Sequence, residues 1–147
     1  MDTKNIALVA HDARKQDLNA WIGANIEALE QHHFWATGTT GRTVRAAYPK
    51  LNIVALKSGP LGGDQQVGAM IAEGKIDMLF FFTDPMTAQP HDVDVKALTR
   101  MATLYNIPMA CNEATADLLI TSPLFKSGYK PRPANFLGYE HRLLTGA

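Results

Sequence analysis

Apolar runs of strand length alternate with apolar stripes of helical period along the chain. Asn5–Ala10 (NIALVA) predicts a buried strand. From Asp12 the period lengthens, and Leu18, Trp21, Ile22, Ile26 and Leu29 form one stripe at helical spacing. HFWAT (33–37) predicts a second strand, followed by a turn over 38–41 and a short helix through Val44 to Tyr48. LNIVAL (51–56) predicts the third strand, and Val67, Met70 and Ile71 mark a helix over 65–73. MLFFF (78–82) is apolar without alternation, as expected of a strand whose two faces are both covered by helices. After a proline-containing loop over 83–91, Val95, Leu98, Met101, Ala102 and Tyr105 predict a helix over 93–105. A fifth short strand over 107–111 and a helix over 114–119 follow. SGYKPRP (127–133) then breaks regular structure before a last short segment.

Strands alternating with helices predict an α/β fold: one three-layer, Rossmann-like domain over residues 1–147, its mainly parallel five-stranded sheet covered by helices on both faces. Ligands of such sheets bind outside the carboxyl ends of the strands. Those ends lead here into HD (11–12), TGTTG (37–41), KSGPLGGDQQ (57–66), TDPMTAQPHD (83–92) and NEATAD (112–117). Glycine and polar residues gather at these ends, whereas the opposite loops are plainer.

Composition narrows the partner. The 147 residues, 46% apolar and 19% charged, fit one globular domain with a substantial core. Fourteen basic and fourteen acidic residues cancel, which argues against a nucleic-acid surface and leaves any anion site as a pocket. The single Cys111 has no internal disulfide partner and fits a reducing cytoplasm, where its expected role is a small buried hydrophobe. The N-terminal apolar run is too short for a signal peptide or a membrane span.

Each strand-end loop carries candidate chemistry. In TGTTG, Thr37, Gly38, Thr39 and Thr40 put backbone amides and hydroxyls at a helix N-terminus, which suits a phosphate. The same residues also read as an ordinary capping turn. In KSGPLGGDQQ, Ser58 and Gly59 offer hydroxyl and amide donors. Asp64 stands where it would either cap the next helix or act as general base on a carbon acid. His11 and Lys15 are four apart at the start of a helix, and Lys15 is a point charge for phosphate or a solvated surface lysine. His91 lies in PHDVD as a loop residue, a metal ligand or an electrophile for a carbonyl. The two histidines and scattered carboxylates lack zinc spacing, so a zinc site is not expected. Asp84 and Asp94 are expected to orient neighbours, to cap, or to bond within the proline-rich loop, and Asp12 stands beside His11 at the first strand end.

The segments IALVAHD, ATGTTG, SGPLGGDQQVGAMIAEGKIDMLFFF, DPMTAQPHDVDVKAL and IPMACNEATAD closely resemble the bacterial methylglyoxal synthase family, in order, from residue 6 to about residue 123. GPLGGDQQVGA and the DP…PHD…DVKAL stretch are highly specific, whereas TGTTG alone is not. The resemblance implies a cofactor-free lyase acting on dihydroxyacetone phosphate. It also implies a homohexamer with a five-stranded parallel core and cooperative inhibition by inorganic phosphate. It implies Asp64 as catalytic base and His91 as the group polarising the ketone. His11, Lys15, Thr37, Gly38, Thr39, Thr40, Ser58 and Gly59 line the substrate site, and Asp94 shares proton handling, with Asp12 and Asp84 in support. Thr83 and Val93 depart from the family's usual residues, and the tail beyond Ser122 matches poorly. Arg142, in that tail, is a candidate intersubunit contact only.

The rival from another class is a phosphate- or nucleotide-sensing regulatory module of the same fold. Sensing needs donors and no base, which the combination of Asp64, His91 and Asp94 argues against. A phospho-receiver domain would end its third strand in an acceptor aspartate, where this chain has Lys57 and Ser58.

Overall fold

The computed structural model describes residues 2–145. One sheet holds five strands: β1 (Asn5–Ala10), β2 (His33–Ala36), β3 (Asn52–Ala55), β4 (Met78–Phe82) and β5 (Met109–Ala110). Their order is β3-β2-β1-β4-β5, and every pairing is parallel, with Ile6 opposite Phe34 on one side and Met78 on the other. The chain builds outward from β1 to β3, then returns to place β4 on the free side of β1. The carboxyl ends of β1 and β4 therefore flank the reversal point, where such sheets open a crevice.

The helices are α1 (Lys15–Ala24), α2 (Ile26–Leu29), α3 (Gly38–Ala47), α4 (Gly63–Ala72), α5 (Asp92–Leu104), α6 (Glu113–Thr121), α7 (Pro123–Lys126) and α8 (Leu137–Thr145). Alternate residues of the central strands feed two separate cores. Ile6, Leu8, Phe80 and Phe82 pack with Leu18, Trp21, Val44 and Ile120 on one face. Ala7, Val9, Leu79 and Phe81 pack with Val67, Ile71, Leu98 and Ala102 of α4 and α5 on the other. Burying each large side chain contributes about 1.5–3 kcal/mol, so the near-continuous apolar β4 is what a two-sided strand requires.

Several elements differ from the expectation. The single stripe from Asp12 is broken into a 3-10 turn (Asp12–Arg14), α1 and α2. The break is at Asn25: its Nδ2 donates to the Trp21 carbonyl and its backbone N–H reaches back only to Ile22, so the side chain competes with the helical ladder. The expected turn over 38–41 is the first turn of α3 itself. Gly38 is needed there for a close approach, since a Cβ would lie 2.6 Å from Ser58 Cα. Strand β5 keeps only two of its expected residues. Tail helix α7 has no counterpart among the expected elements; α8 takes up the expected last short segment, whose type the pattern does not give, and carries Arg142 with its guanidinium 5.8 Å from the Tyr139 ring. Cys111 follows β5, half-buried, and burial pushes its thiol up. No helix among the described residues is long and apolar enough to cross a membrane.

Candidate active site

The loops after β1, β2 and β3 are held together by main-chain bonds that continue the sheet beyond its strands. Thr37 N–H donates to Leu8, Gly38 N–H to Lys57 and His11 N–H to Phe82. Gln66 of α4 accepts the Lys57 N–H at 2.8 Å, which fixes the third loop against the helix that carries Asp64. Over this frame lies a hollow of about 280 Å³. His11, Asp12, Lys15, Thr37, Thr39, Thr40, Ser58, Gly59, Asp64 and His91 line it together. Gln89, Pro90 and Pro60 also line it. Gln89 and Pro90 adjoin His91 in sequence, and that adjacency was the signal for them.

Three expected residues stand elsewhere. Gly38 lies under the wall, against Ser58. Asp84 is buried behind His11, where its Oδ1 accepts the Met86 N–H at 3.0 Å. That bond, with a further one from Thr87, holds its carboxyl below the usual range. Asp94 does not line the hollow. It shares with Asp64 a narrow groove of about 210 Å³ between α4 and α5.

Asp64 is not the helix cap that its position allowed. Gly62, at φ +108°, occupies the N-cap, and Asp64 is the second residue of α4 with no capping bond. Its carboxyl is 2% exposed, and neither oxygen has a hydrogen-bond partner. Burial raises its pKa, Asp94 adds to the rise, and His91 opposes it. His91 Nε2 lies 3.7 Å from Asp64 Oδ2, and His91 Nδ1 is buried without a partner. Gly59 makes this pairing sterically feasible, because a Cβ there would sit 2.8 Å from His91 Nε2 and 3.4 Å from Asp64 Oδ2.

His11 has a defined tautomer. The backbone N–H of Asp84 donates to its Nδ1 at 2.9 Å, so that nitrogen must be the acceptor and Nε2 carries the proton. Burial first, then the charge of His91, lowers its pKa against the pull of Asp84, Asp92 and Asp12. The ring is therefore a neutral N–H donor near neutrality. Its centroid is 5.9 Å from that of His91, and its Nε2 has no partner. Thr40 Oγ1, in the first turn of α3, is likewise buried and unpaired.

Lys15 Nζ donates to Asp12 Oδ1 at 2.6 Å, and this contact pulls the Asp12 pKa down. Asp12 is almost fully solvated, and exposed pairs contribute only about 0–1 kcal/mol, so Lys15 is cheaply transferred to a better anion. Buried polar groups are normally paired. Here His11 Nε2, Thr40 Oγ1, His91 Nδ1 and both Asp64 oxygens are unpaired around one hollow, and together they offer a polar ligand donors and acceptors that no protein group takes up. Donors and a cation lie on its β2, β3 and α1 sides, with a lone base beside them. Among the described residues, no group of three or more His, Cys, Asp or Glu is disposed to hold a metal ion.

Known proteins share this arrangement of sequence and fold. The family described as MGS-like domain matches residues 21–111. A methylglyoxal synthase of Oleidesulfovibrio alaskensis is 56% identical over 140 residues, covering 95% of both chains. One from Leptospira interrogans is 55% identical over 127 residues, covering 86% of this chain and 85% of its own. The crystal structure of methylglyoxal synthase from Elizabethkingia anophelis superposes with a TM-score of 0.89 at 46% identity, covering 95% of this chain and 91% of that one.

Proposed function

The chain belongs to the methylglyoxal synthase family, and on that premise we propose that it converts dihydroxyacetone phosphate to methylglyoxal and inorganic phosphate. The observation that carries the reading is the buried, unpartnered carboxylate of Asp64 beside His91 and next to the anion-binding loops.

The substrate phosphate is received by the N-terminus of α3, with Thr39 and Thr40, and by Ser58 and Lys15. Asp64 takes a proton from the hydroxymethyl carbon. Its raised pKa makes it a stronger base than a solvated aspartate, and Asp94 acts through that charge effect. The electron pair of the broken C–H bond forms a carbon–carbon double bond while the ketone oxygen becomes negative. His91 stabilises that oxygen, and His11 Nε2–H is a second donor from the facing ring. The hydroxyl of the deprotonated carbon then becomes the aldehyde, giving up its proton. The double bond moves along the chain, and the C–O bond to phosphate breaks with its electrons on oxygen. Protonation of the resulting enolate at its terminal carbon yields methylglyoxal, and no water is consumed. A phosphate held with its C–O bond perpendicular to the enediolate plane selects this outcome over isomerisation.

A sensing module of the same fold would gain nothing from Asp64, since an unpaired carboxylate in an anion cradle repels the ligand. We further propose that the chain assembles as a homohexamer, that inorganic phosphate inhibits it cooperatively, and that it works in the cytoplasm. Exposed Leu137, Tyr139, Leu143 and Leu144 of α8 favour assembly, and the phosphate cradle favours inhibition. The test is to incubate purified protein with dihydroxyacetone phosphate and to follow methylglyoxal and phosphate together. Equal release of both is expected. Phosphate without methylglyoxal, or neither product, overturns the reading.

A further inference from the structure

A second hollow, of about 250 Å³, lies at the opposite end of the sheet. Lys4 immediately precedes β1 and His11 immediately follows it, so at about 3.3 Å per residue the two ends are roughly 20 Å apart. The wall of the second hollow is mostly apolar, with Met78, Leu119 and Phe125 deepest in the fold. Into this wall is set Lys4, only 7% exposed, its ammonium 5.9 Å from the centroid of the Phe125 ring.

Lysine is almost never this deeply buried unless it is paired, because desolvating the ammonium is costly. Lys15 and Lys75 each have a carboxylate at 2.6 Å, yet no carboxylate among the described residues reaches Lys4. Asp77 lines the same hollow, but its Oδ2 accepts the Asn5 N–H and it forms no ion pair with Lys4. The phenylalanine face lies against the ammonium, and no carboxylate among the described residues pairs with it.

We propose that this hollow binds a small organic carboxylate, with its head on the Lys4 ammonium and its apolar body against Phe125, Leu119 and Met78. Ser122, in the same wall, accepts the Leu124 N–H at 3.2 Å and keeps its own hydroxyl proton for the second carboxylate oxygen. A carboxylate with a hydrocarbon body fits better than a phosphate. The catalytic end surrounds its anion with hydroxyls, a helix N-terminus and Lys15. Here Lys4 is flanked by hydrocarbon, Lys130 is the second cation of the lining and Asp77 its one carboxylate. The volume lies below the roughly 300–1,000 Å³ of drug-sized sites, so the acid is short.

The experiment is calorimetric titration of the full chain with hexanoate, with hexan-1-ol as the neutral isostere. Hexanoate should bind saturably, and about ten- to a hundredfold more tightly than the alcohol. Lys4→Met should weaken hexanoate by a similar factor, while Lys4→Arg, which keeps the charge, retains most of the affinity. If Lys4→Met does not fold, Leu124→Trp substitutes at the half-exposed rim and should exclude the acid sterically. Saturating inorganic phosphate should leave hexanoate binding intact. The proposal fails if the wild type shows no saturable binding, as it would if a second copy of the chain covered the hollow. It also fails if the alcohol binds as well as the acid, if the folded variants bind as the wild type does, or if phosphate displaces hexanoate.

Discussion

Replacing Gly59 by alanine tests whether the Asp64–His91 geometry carries turnover. Gly59 has no positive φ, so alanine brings no backbone strain and the fold should persist. The added Cβ would lie 2.8 Å from His91 Nε2 and 3.1 Å from its Cδ2, short of the 3.4 Å at which ordinary contact begins. The His91 ring must therefore retreat by roughly 0.6 Å to restore that contact. A misplacement of about 1 Å at a reacting centre can cost about a hundredfold, so the shift should lower kcat by about tenfold, or about 1.4 kcal/mol of barrier. Steady-state kinetics with dihydroxyacetone phosphate measures kcat and KM, and circular dichroism checks the fold. Gly138→Ala, where a Cβ meets nothing within 4 Å, is the control and should leave kcat unchanged. An unchanged kcat in folded Gly59→Ala would mean that the position of His91 against Asp64 does not govern the reaction.

Asp64→Asn should lower kcat by at least about a hundredfold, within the usual range for a general base, and near-normal turnover would return Asp64 to a structural role. The same variant should be thermally more stable at neutral pH. Folded Asp64 holds its proton more tightly than the unfolded chain, so the wild type loses stability as pH rises from 3.8 through the folded value, and asparagine abolishes that loss. A melting temperature that responds to pH equally in both proteins would contradict the burial argument. Lys15→Ala should weaken competitive inhibition by inorganic phosphate about ten- to a hundredfold; undiminished inhibition would show that Lys15 does not touch phosphate. In water enriched in heavy oxygen, mass spectrometry should find no label in newly released phosphate, because the C–O bond breaks. One labelled atom per turnover would instead require attack of water on phosphorus.

The sheet and the meeting of its loops were legible because apolar runs without alternation dictate two-sided strands, and parallel strands send their carboxyl ends to one edge. His11, Lys15, Thr39, Ser58, Asp64 and His91 followed from that placement. Orientation was not legible. Asp64 and Asp94 look equivalent as carboxylates, yet α4 and α5 set them on different sides of one contact, and only Asp64 enters the hollow. Asp84, expected in support of the site, stands behind His11 with its carboxyl tied to its own loop, a placement its position in the sequence does not give. The Asn25 break was hidden because an asparagine's bond to a carbonyl four residues back does not alter hydrophobic period. The helical type of α8 was hidden because it buries too little to leave a stripe. Lys4 leaves no signal in the hydrophobic pattern, and only the packing of Phe125 and the tail around it makes it unusual.

The tautomer of His11 is set by a peptide N–H, and this has a consequence for how the site tolerates mutation. Every amino acid but proline supplies that donor, so substitutions at position 84 can change charge or size while the proton on the imidazole stays on the nitrogen facing the hollow. A site that oriented its ring with a carboxylate would lose its tautomer in a single base change at many codons. Here the protonation pattern is written into the chain's backbone and does not depend on which side chain stands at position 84.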